Sequence, residues 1–443
     1  MTTTSAASQL GPALIEIVGA DHVCIDSSVL TPFSVDGVRP EASVTPASPE
    51  EVAAVLRYAN EHKLSVVPCG GFTSQSLGGL PAPIDILLRT DRLNQVLHYD
   101  PGDLTIGAMA GMRVAEVQRR VSENKLMLPL DAPRPSQATI GGSLATAAAG
   151  PLKHAYGGVR EYCIGVTFVT GDGRIAKAGG RVVKNVAGYD LMKLLIGSQG
   201  TLGVIVSANF KLFPAPRQTR TFLASFSTLE DALTFRRFIQ RSPLSPMCME
   251  IFSPLAKSYL AAGNQECWTI AVRAGGSDAV LSRYRRELGG AVSRELDSNE
   301  ENELWSSVQD FTSSVVAKHH NALSVAVHVT PSDAAVALKA AQAIAGDHNL
   351  LFACVGRIGI TDLDVSLIPI AVDPPSVMQY ANAVSALRGF LPRDSAAIVQ
   401  RCPREVKEHV NVWGSSTNDL DAMRDVKRAL DPNDVLNRGR FLF

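Results

Sequence analysis

The stretch from Gly179 to Ile205, GGRVVKNVAGYDLMKLLIGSQGTLGVI, sets the strictest limit on how this chain can fold. It contains six glycines, and Gly197, Gly200 and Gly203 follow one another at intervals of three before a β-branched run. Glycine accepts positive φ and lets another group come close to the main chain. The spacing therefore indicates either a main chain wrapped against a ligand just before a strand, or a tight turn between two strands.

Two more glycine-rich segments lie upstream: Pro68 to Gly79, after the predicted strand Leu64 to Val67, and Gln137 to Gly150, after a proline-rich entry. Loops of small and hydroxylated residues offer the N–H groups and hydroxyls that phosphate oxygens need. The first segment is neither a Walker loop nor a GxGxxG fingerprint. An anion-binding loop and a plain surface turn both remain open for it. Close helix packing is the alternative for the small-residue run Ala145 to Ala149.

Length and composition limit the class of protein. A chain of 443 residues exceeds what one hydrophobic core supports, so two domains are predicted. A formal net charge of −1 gives no general attraction to nucleic acid or to an anionic membrane. No apolar run reaches the roughly 20 residues that span a bilayer, and the N-terminus lacks a secretory signal, so a cytoplasmic protein is expected. Seven cysteines without a CxxC pair fit reduced thiols rather than disulfides or an iron–sulfur site.

The order of predicted elements favours an α+β fold over a long βαβα alternation. Pro49 to His62 is predicted as an amphipathic helix because Ser48 suits the N-cap and the first turn holds proline and glutamate. From Thr221 to Leu391 strand-like and helix-like runs alternate, which predicts an antiparallel sheet backed by helices. Leu420 to Leu430 is predicted as a further helix near the end of the chain.

The opening stretch resembles the corresponding part of FAD-binding proteins of the vanillyl-alcohol oxidase (PCMH-type) superfamily. Within that family it is most similar to the FAD-binding E subunit of the bacterial glycolate oxidase complex. Matching segments run from about Asp36 to Pro214 and reappear at Asp431 to Phe443. The segment from Gln137 to Gly150 has the family's order of Thr-Ile-Gly-Gly followed by alanines that close on a glycine.

The resemblance implies a fold and a division into domains. It implies an α+β architecture with a two-lobed PCMH-type FAD-binding domain and a cap, or substrate, domain whose antiparallel sheet is backed by helices. The implied boundaries are 1–216 for the FAD-binding domain with a core at about 36–216, 217–411 for the cap domain, and 412–443 for a C-terminal segment that returns to the FAD-binding domain.

The same resemblance implies FAD as the cofactor and assigns residues to it. The first loop departs from the family's Arg-Gly-Gly-Gly form, because Cys69 stands for the arginine and Phe72 for the third glycine. Members that attach flavin covalently through this loop use a histidine, and none is present, so non-covalent FAD is expected. The residues assigned to FAD are Cys69, Gly70, Gly71, Phe72, Thr73 and Ser74 in the first loop, Pro135, Ser136, Thr139, Gly141, Gly142, Ser143 and Gly150 in the second segment, and Gly165, Val166, Gly200, Gly203, Val204, Ile205 and Asn437 elsewhere.

Two features of this assignment are more detailed. Val204 and Ile205 would form apolar walls for the adenine. The C-terminal turn would return near the isoalloxazine, although Arg438 stands where proline is usual. Lys184, Tyr189 and Asp190 match the family's Lys-Asn-x-x-Gly-Tyr-Asp-Leu motif, and they either serve the flavin directly or brace the turn beneath it.

The substrate side offers fewer candidates. Oxidation of a 2-hydroxy acid needs a cation for the carboxylate and a base for the hydroxyl proton. Arg357 is the candidate cation, and a solvent-facing arginine on a cap strand is the alternative. Metal-assisted relatives carry a histidine in a glycine-rich cap stretch, whereas Val355 to Asp364 has none, so no metal site is expected. His328 and the pair His319-His320 are predicted as structural or surface residues, and no catalytic base is assigned.

The resemblance implies a function within a complex. It implies an FAD-binding subunit of a glycolate oxidase-like dehydrogenase, which oxidises a small 2-hydroxy acid or relays electrons. The implied partners are a paralogous FAD-binding subunit and an iron–sulfur subunit, through which the chain would lie peripheral to the inner membrane. A free-standing FAD-dependent dehydrogenase of another hydroxy acid or alcohol is one alternative. A scaffold that kept the fold without FAD is the other, and Cys69 and Phe72 permit it.

Overall fold

The computed structural model describes residues 3–181, 190–263, 266–360, 362–370, 376–414 and 419–442. The contacts within the chain divide it into two compact units. The first unit comprises Met1–Ala149, Gly158–Ala215 and Ser416–Phe443, and the second comprises Gly150–Gly157 and Pro216–Ser415. The segment Gly150–Gly157, which the sequence assigns to the FAD-binding domain, therefore belongs to the second unit. The reason is a long-range ion pair, since the ammonium of Lys153 lies 2.6 Å from the carboxylate of Asp362.

Two sheets of the first unit carry its core. The first sheet has the order β1-β2-β4-β3, in which β2, β4 and β3 are parallel and β1 is antiparallel. Its strands are β1 (Val23–Cys24), β2 (Ala42–Val44), β3 (Val66–Cys69) and β4 (Ile86–Arg89). The second sheet is antiparallel, with the order β5-β6-β10-β8-β9. Its strands are β5 (Val96–Asp100), β6 (Thr105–Met109), β8 (Cys163–Val169), β9 (Ile175–Gly179) and β10 (Val204–Lys211), and a separate pair joins β7 (Leu126–Met127) to β11 (Phe213–Pro214).

Helices cover these sheets. The helices of the first unit are α1 (Thr3–Val18), α2 (Ser27–Leu30), α3 (Pro49–His62), α4 (Val114–Ser122), α5 (Ile140–Ala145), α7 (Val159–Tyr162), α8 (Met192–Leu195) and α16 (Leu420–Leu430). The start of α3 follows from its sequence, because the Ser48 hydroxyl accepts a hydrogen bond from the Glu51 N–H at 3.2 Å. Leu14 of α1 and Leu56 of α3 are fully buried in one apolar cluster with the strands of the first sheet. Full burial of each such side chain stabilises the fold by roughly 1.5–3 kcal/mol.

The chain returns to the first unit after α16. The N–H of Val66 donates to the carbonyl of Val435 at 2.9 Å, and the N–H of Asn437 donates to the carbonyl of Val66 at 2.8 Å. The returning segment therefore runs parallel to β3, as the bridge between Val66 and Leu436 shows. This pairing brings the last residues of the chain beside the loop that follows β3.

The second unit is built on one antiparallel sheet with the order β15-β12-β14-β13-β17-β18-β16-β19. Its strands are β12 (Gln218–Phe226), β13 (Cys248–Phe252), β14 (Trp268–Gly276), β15 (Arg294–Leu296), β16 (Leu323–His328), β17 (Leu350–Arg357), β18 (Asp362–Pro369) and β19 (Ala396–Arg401). Its helices are α6 (Lys153–Tyr156), α9 (Leu229–Arg241), α10 (Asp278–Leu288), α11 (Ser298–Gln309), α12 (Phe311–Lys318), α13 (Ala334–Asp347), α14 (Val377–Phe390) and α15 (Arg404–Lys407). The predicted α+β class, with an antiparallel sheet backed by helices, is confirmed.

Candidate functional site

One cleft of the first unit brings the three glycine-rich turns together. It encloses about 740 Å³ of empty space, part of which is open to solvent. The residues that were assigned to FAD and line this cleft are Cys69, Gly70, Gly71, Phe72, Thr73, Ser74, Gly141, Gly142, Gly200, Gly203, Val204, Ile205 and Asn437.

Main-chain hydrogen bonds hold the second and third turns against each other. The N–H of Gly197 donates to the carbonyl of Leu144 at 3.0 Å, and the N–H of Gln199 donates to the carbonyl of Ala145 at 2.8 Å. The Asn437 side chain then donates through Nδ2 to the carbonyl of Gln199 at 2.5 Å. The third turn thus rests on the end of α5 and is held from the other side by the C-terminal segment.

The glycines are required by packing between these turns. A Cβ at Gly70 would overlap the side chain of Thr139, so the first loop touches the second. A Cβ at Gly203 would lie 2.8 Å from Cδ2 of Phe168, which is closer than real Cβ contacts. Gly200 has a φ of 69°, which an L side chain rarely adopts. A ligand-binding main chain and a tight turn were the two interpretations of the glycine spacing. They do not exclude each other here, because the same glycines make tight turns and line a cleft.

Two residues of the first loop, Cys69 and Phe72, depart from the family's pattern, and the loop still has the backbone conformation that a glycine would adopt at position 72. Phe72, which replaces a glycine, has a φ of 56°, and its ring packs edge-on against Phe33 with centroids 5.5 Å apart. Cys69 is buried, and burial raises the pKa of its thiol to about 12. The thiol is therefore neutral at physiological pH and brings no negative charge to the cleft.

Some assigned residues do not line the cleft, and they are Pro135, Ser136, Thr139, Ser143, Gly150, Gly165 and Val166. Thr139 instead caps α5, where its hydroxyl accepts from the N–H of Gly142 at 3.2 Å. Gly165 and Val166 are buried within β8 and pair with β10. Ser136 is exposed, and Gly150 belongs to the second unit.

Other lining residues were not predicted from the sequence, and they are Pro68, Gln75, Leu77, Thr90, Ala145, Thr146, Gln199 and Arg440. Gln199 stands between two predicted glycines and has a φ of 56°, so its position in the repeat was a usable signal. Arg440 reaches the cleft from the C-terminal segment, and only the three-dimensional fold reveals that contact.

The chemistry of the lining fits FAD. The loop hydroxyls of Thr73, Ser74 and Thr146 and the peptide groups of the glycines suit a diphosphate. Val204 and Ile205 are buried apolar residues that suit an aromatic ring. In addition, the Oδ1 atom of Asn437 is buried and has no hydrogen-bond partner among the described residues. A buried polar atom of this kind is rare in proteins, and a bound ligand would satisfy it.

A separate cluster of charged side chains lies in the second unit. One carboxylate oxygen of Asp362 accepts from Lys153 Nζ at 2.6 Å, and the other is 2.8 Å from His328 Nδ1. Arg357 pairs with Asp362 at 3.4 Å and with Asp364 at 3.3 Å. The Arg357 side chain is only 11% exposed, so the interpretation of a solvent-facing arginine is wrong. Its guanidinium is already bound by two carboxylates.

Two histidines from other parts of the second unit contact the stretch from Val355 to Asp364, which contains no histidine itself. His328 hydrogen-bonds to Asp362, as described above, and the ring of His154 lies against Gly359. Burial lowers the pKa of His154, which keeps the ring neutral near pH 7. Nε2 of His319 is 2.9 Å from the hydroxyl of Tyr259, which is a structural contact.

The cluster around Asp362 leads to a prediction about acid stability. Burial alone favours the neutral acid, but the hydrogen bond from His328 and the charges of Arg357 and Lys153 hold the pKa of Asp362 well below its usual range. The folded state then binds fewer protons than the unfolded state. This stabilisation is therefore fully present above the unfolded carboxyl pKa of about 4 and is lost as the pH falls below it.

We expect Asp362→Asn to lower the free energy of unfolding at pH 7 by about 2–3 kcal/mol. The loss stays below that of a fully buried pair because the Lys153 side chain is 32% exposed. All three tryptophans of the chain, Trp268, Trp305 and Trp413, belong to the second unit, so their fluorescence in urea reports its unfolding. At pH 3 the difference between the variant and the parent should begin to shrink, and it should shrink further as the pH falls through the lowered pKa of Asp362. Asp347→Asn, at an exposed position in α13, is the control, and an equal loss in both variants would contradict the prediction.

Three predictions remain, and they concern the Lys-Asn-x-x-Gly-Tyr-Asp-Leu motif, a metal site and a membrane-spanning helix. Lys184 and Tyr189 lie outside the described residues, and Asp190 is exposed and pairs with Lys193 at 2.6 Å. Within the ranges that the structure describes, no group of three or more His, Cys, Asp or Glu residues is arranged to hold a metal ion. Likewise, none of the helices in the described part of the chain is long and apolar enough to cross a bilayer.

Several known proteins are similar to this chain in sequence or in fold. Residues 40–179 match the family model described as an FAD binding domain, and residues 215–386 and 411–441 match the C-terminal domain of FAD linked oxidases. The chain is 28% identical over 425 residues to a D-2-hydroxyglutarate dehydrogenase of Xanthomonas citri pv. viticola, which covers 90% of this chain and 89% of that protein. It is 24% identical over 447 residues to the glycolate oxidase subunit GlcD of Bacillus subtilis (strain 168), covering 96% and 95%.

The solved structure of p-cresol methylhydroxylase with substrate bound has the same fold. It superposes with a TM-score of 0.77 at 16% identity and covers 99% of this chain and 97% of that one. The chain therefore belongs to the vanillyl-alcohol oxidase superfamily of FAD proteins. More particularly, it is an FAD-dependent oxidoreductase that acts on CH–OH donors.

Proposed function

We propose that this chain is the FAD-binding subunit of a 2-hydroxy acid dehydrogenase complex of the glycolate oxidase kind. Its partners would be a paralogous FAD-binding subunit and an iron–sulfur subunit, and its substrate a small 2-hydroxy acid. The observation that carries the proposal lies in the second unit, where Lys153, Arg357 and His328 all contact the carboxylate of Asp362. Lys153 and Arg357 are cations that Asp362 neutralises, so they do not offer a free site for a substrate carboxylate, which favours electron relay within a complex.

The cleft of the first unit would hold FAD without a covalent bond. The loop at 70–74 and the turn at 141–142 would face the diphosphate, and Val204 and Ile205 the adenine. Asn437 would accept a hydrogen bond from the cofactor through its unpaired Oδ1. Bound FAD supplies a ring that accepts hydride and passes electrons onward, while the protein positions that ring and excludes competing reactions.

A free-standing dehydrogenase is the second candidate. The D-2-hydroxyglutarate dehydrogenase of Xanthomonas citri pv. viticola favours it, because that relative matches this chain over nearly its whole length. In this case the chain alone would oxidise D-2-hydroxyglutarate or another 2-hydroxy acid, and no further subunit would be required.

Purification of the tagged chain from its native host distinguishes these candidates. We expect a yellow preparation that releases FAD on acid precipitation and contains a second flavoprotein and an iron–sulfur protein by mass spectrometry. Dye reduction with glycolate, D-lactate or D-2-hydroxyglutarate should be high in the complex and at most a few per cent of that rate for the chain alone. Full activity of the isolated chain would overturn the subunit role and establish the second candidate. A colourless chain that fails to bind added FAD would contradict the cofactor as well.

A further inference from the structure

The guanidinium of Arg440 lies at the meeting point of three distant parts of the first unit. Its side chain is 2% exposed, and Nη1 is 2.8 Å from the carboxylate of Asp36. Nη1 also donates to the carbonyl of Gly79, and Nη2 donates to the carbonyls of Gln75 and Leu77. One side chain thus joins the C-terminal segment, the turn at Asp36 and the second half of the first glycine-rich loop.

Isolated hydrogen bonds hold this loop, such as the one from Nη2 of Arg134 to the carbonyl of Thr73. Residues 70–80 contain no helix or strand, so most of their carbonyl groups have no regular hydrogen-bond ladder. The main chain of the C-terminal segment adds one bond, from the N–H of Gly79 to the carbonyl of Arg440 at 3.2 Å. A guanidinium suits this task because its planar fork of five donors can bind several acceptors in a fixed geometry.

The charge of Arg440 is the second feature that sets it apart. Among the described residues that line it, Arg440 is the one with a permanent charge. Four hydrogen bonds to protein acceptors already occupy its two Nη atoms, and Asp36 balances its charge. The guanidinium therefore organises the loop rather than serving as a direct ligand for an anion.

We propose that Arg440 is the positioning residue of the FAD site. By binding Asp36 and the carbonyls of Gln75, Leu77 and Gly79, it fixes the first loop in the shape in which residues 70–74 receive the diphosphate. The carbonyl oxygens that it binds are also compensated, so that they repel the anionic cofactor less. Arg440 acts through the loop, and the shape of its donor group matters as much as its charge.

Arg440→Lys separates shape from charge. Lysine keeps the positive charge, but its single ammonium cannot bind Asp36 and three carbonyls at once. We expect the dissociation constant for FAD to rise at least about tenfold, as it would in Arg440→Gln, since charge-assisted hydrogen bonds are lost in both. The readouts are the quenching of FAD fluorescence on titration of the apoprotein and hydrogen exchange of a peptide covering 70–80, which should accelerate even without FAD.

Arg438→Lys is the matched control. Arg438 is half-buried and lies in the same segment, where its guanidinium contacts the backbone carbonyls of Asp434, Asn433 and Lys63. We expect this variant to keep its FAD affinity within about twofold, because none of these carbonyls belongs to the first loop. An equal loss in both variants would overturn the proposal, because the segment as a whole would then be responsible.

Two further results test whether Arg440 positions the first loop. FAD binding within about twofold of the parent in Arg440→Lys would show that charge alone suffices, and the positioning role would be wrong. If Arg440→Lys unfolds too easily for titration, Asp36→Asn is the second variant, because it keeps the guanidinium but removes the carboxylate that orients it, which loosens its hold on the three loop carbonyls. Faster exchange confined to residues 36 and 70–80 supports the proposal, and unchanged exchange there overturns it.

Discussion

Replacing Lys427 with methionine is expected to destabilise the first unit by about 3–5 kcal/mol. The Lys427 side chain is 9% exposed, and its ammonium lies 2.6 Å from the carboxylate of Asp431, which is fully buried. The ammonium also donates to the carbonyls of Thr201 and Leu436 at 3.0 and 3.1 Å. Methionine fills much of the space but leaves the Asp431 carboxylate buried without its counter-ion, and that uncompensated charge causes most of the loss.

The same substitution should weaken the cofactor site. The Asp431 carboxylate accepts the N–H groups of Val435 and Leu436, both at 2.8 Å, and so shapes the turn that leads to Asn437. A heated sample releases FAD when the first unit opens, so the rise in flavin fluorescence measures its stability. We expect this transition to move to a lower temperature by several degrees.

Arg428→Met is the control for this prediction. Arg428 is the next residue on α16, but its side chain is 71% exposed and pairs with Asp425 on the surface. Exposed pairs of this kind contribute about 0.3–0.5 kcal/mol. Lys427→Met combined with Asp431→Asn should cost less than the sum of the single substitutions, because the buried charge is then absent. Equal shifts for Arg428→Met and Lys427→Met would contradict the role of burial.

Local signals in the sequence predicted several elements well. Ser48 starts α3 as its N-cap, and the predicted helix from Leu420 to Leu430 has those same bounds. The three glycine-rich turns also meet in one cleft. These features depend on neighbouring residues or on glycine conformations, and both are visible in a short window of sequence.

Long-range charge pairs explain why the burial of Arg357 could not be predicted from the sequence. Arg357 faces Asp362 directly across the β17–β18 ladder, and the carboxylates of Asp362 and Asp364 together make burial of its charge possible. No window around Arg357 shows that those two residues begin a strand, since the glycine-rich stretch before them indicates a loop. The grouping of Gly150–Gly157 with the second unit was equally invisible in the sequence, because Asp362, the partner of Lys153, lies 209 residues away.

Gly71→Ala is the second substitution with a large expected effect. A Cβ at Gly71 would overlap the carbonyl oxygen of Gln137 and would lie 2.7 Å from Nη1 of Arg113. The carbonyl belongs to the backbone, so the first two glycine-rich turns must move apart. Overpacking of this kind costs about 1–3 kcal/mol, which corresponds to a roughly 5–150-fold loss of FAD affinity if the strain falls on the bound state. Titration of the apoprotein with FAD measures this loss.

A pair of variants tests whether overlap between the two turns causes the expected loss of FAD affinity. The three atoms nearest to a Cβ at Gly70 all belong to the side chain of Thr139, so Thr139→Gly should restore FAD binding to Gly70→Ala at a cost of a few tenths of a kcal/mol for the helix cap. The same second change should not rescue Gly71→Ala, because its obstacle is the backbone of Gln137. Gly346→Ala has open space around it and should leave FAD affinity unchanged. Rescue of both glycine variants, or of neither, would mean that the two turns do not need this close contact to bind the cofactor.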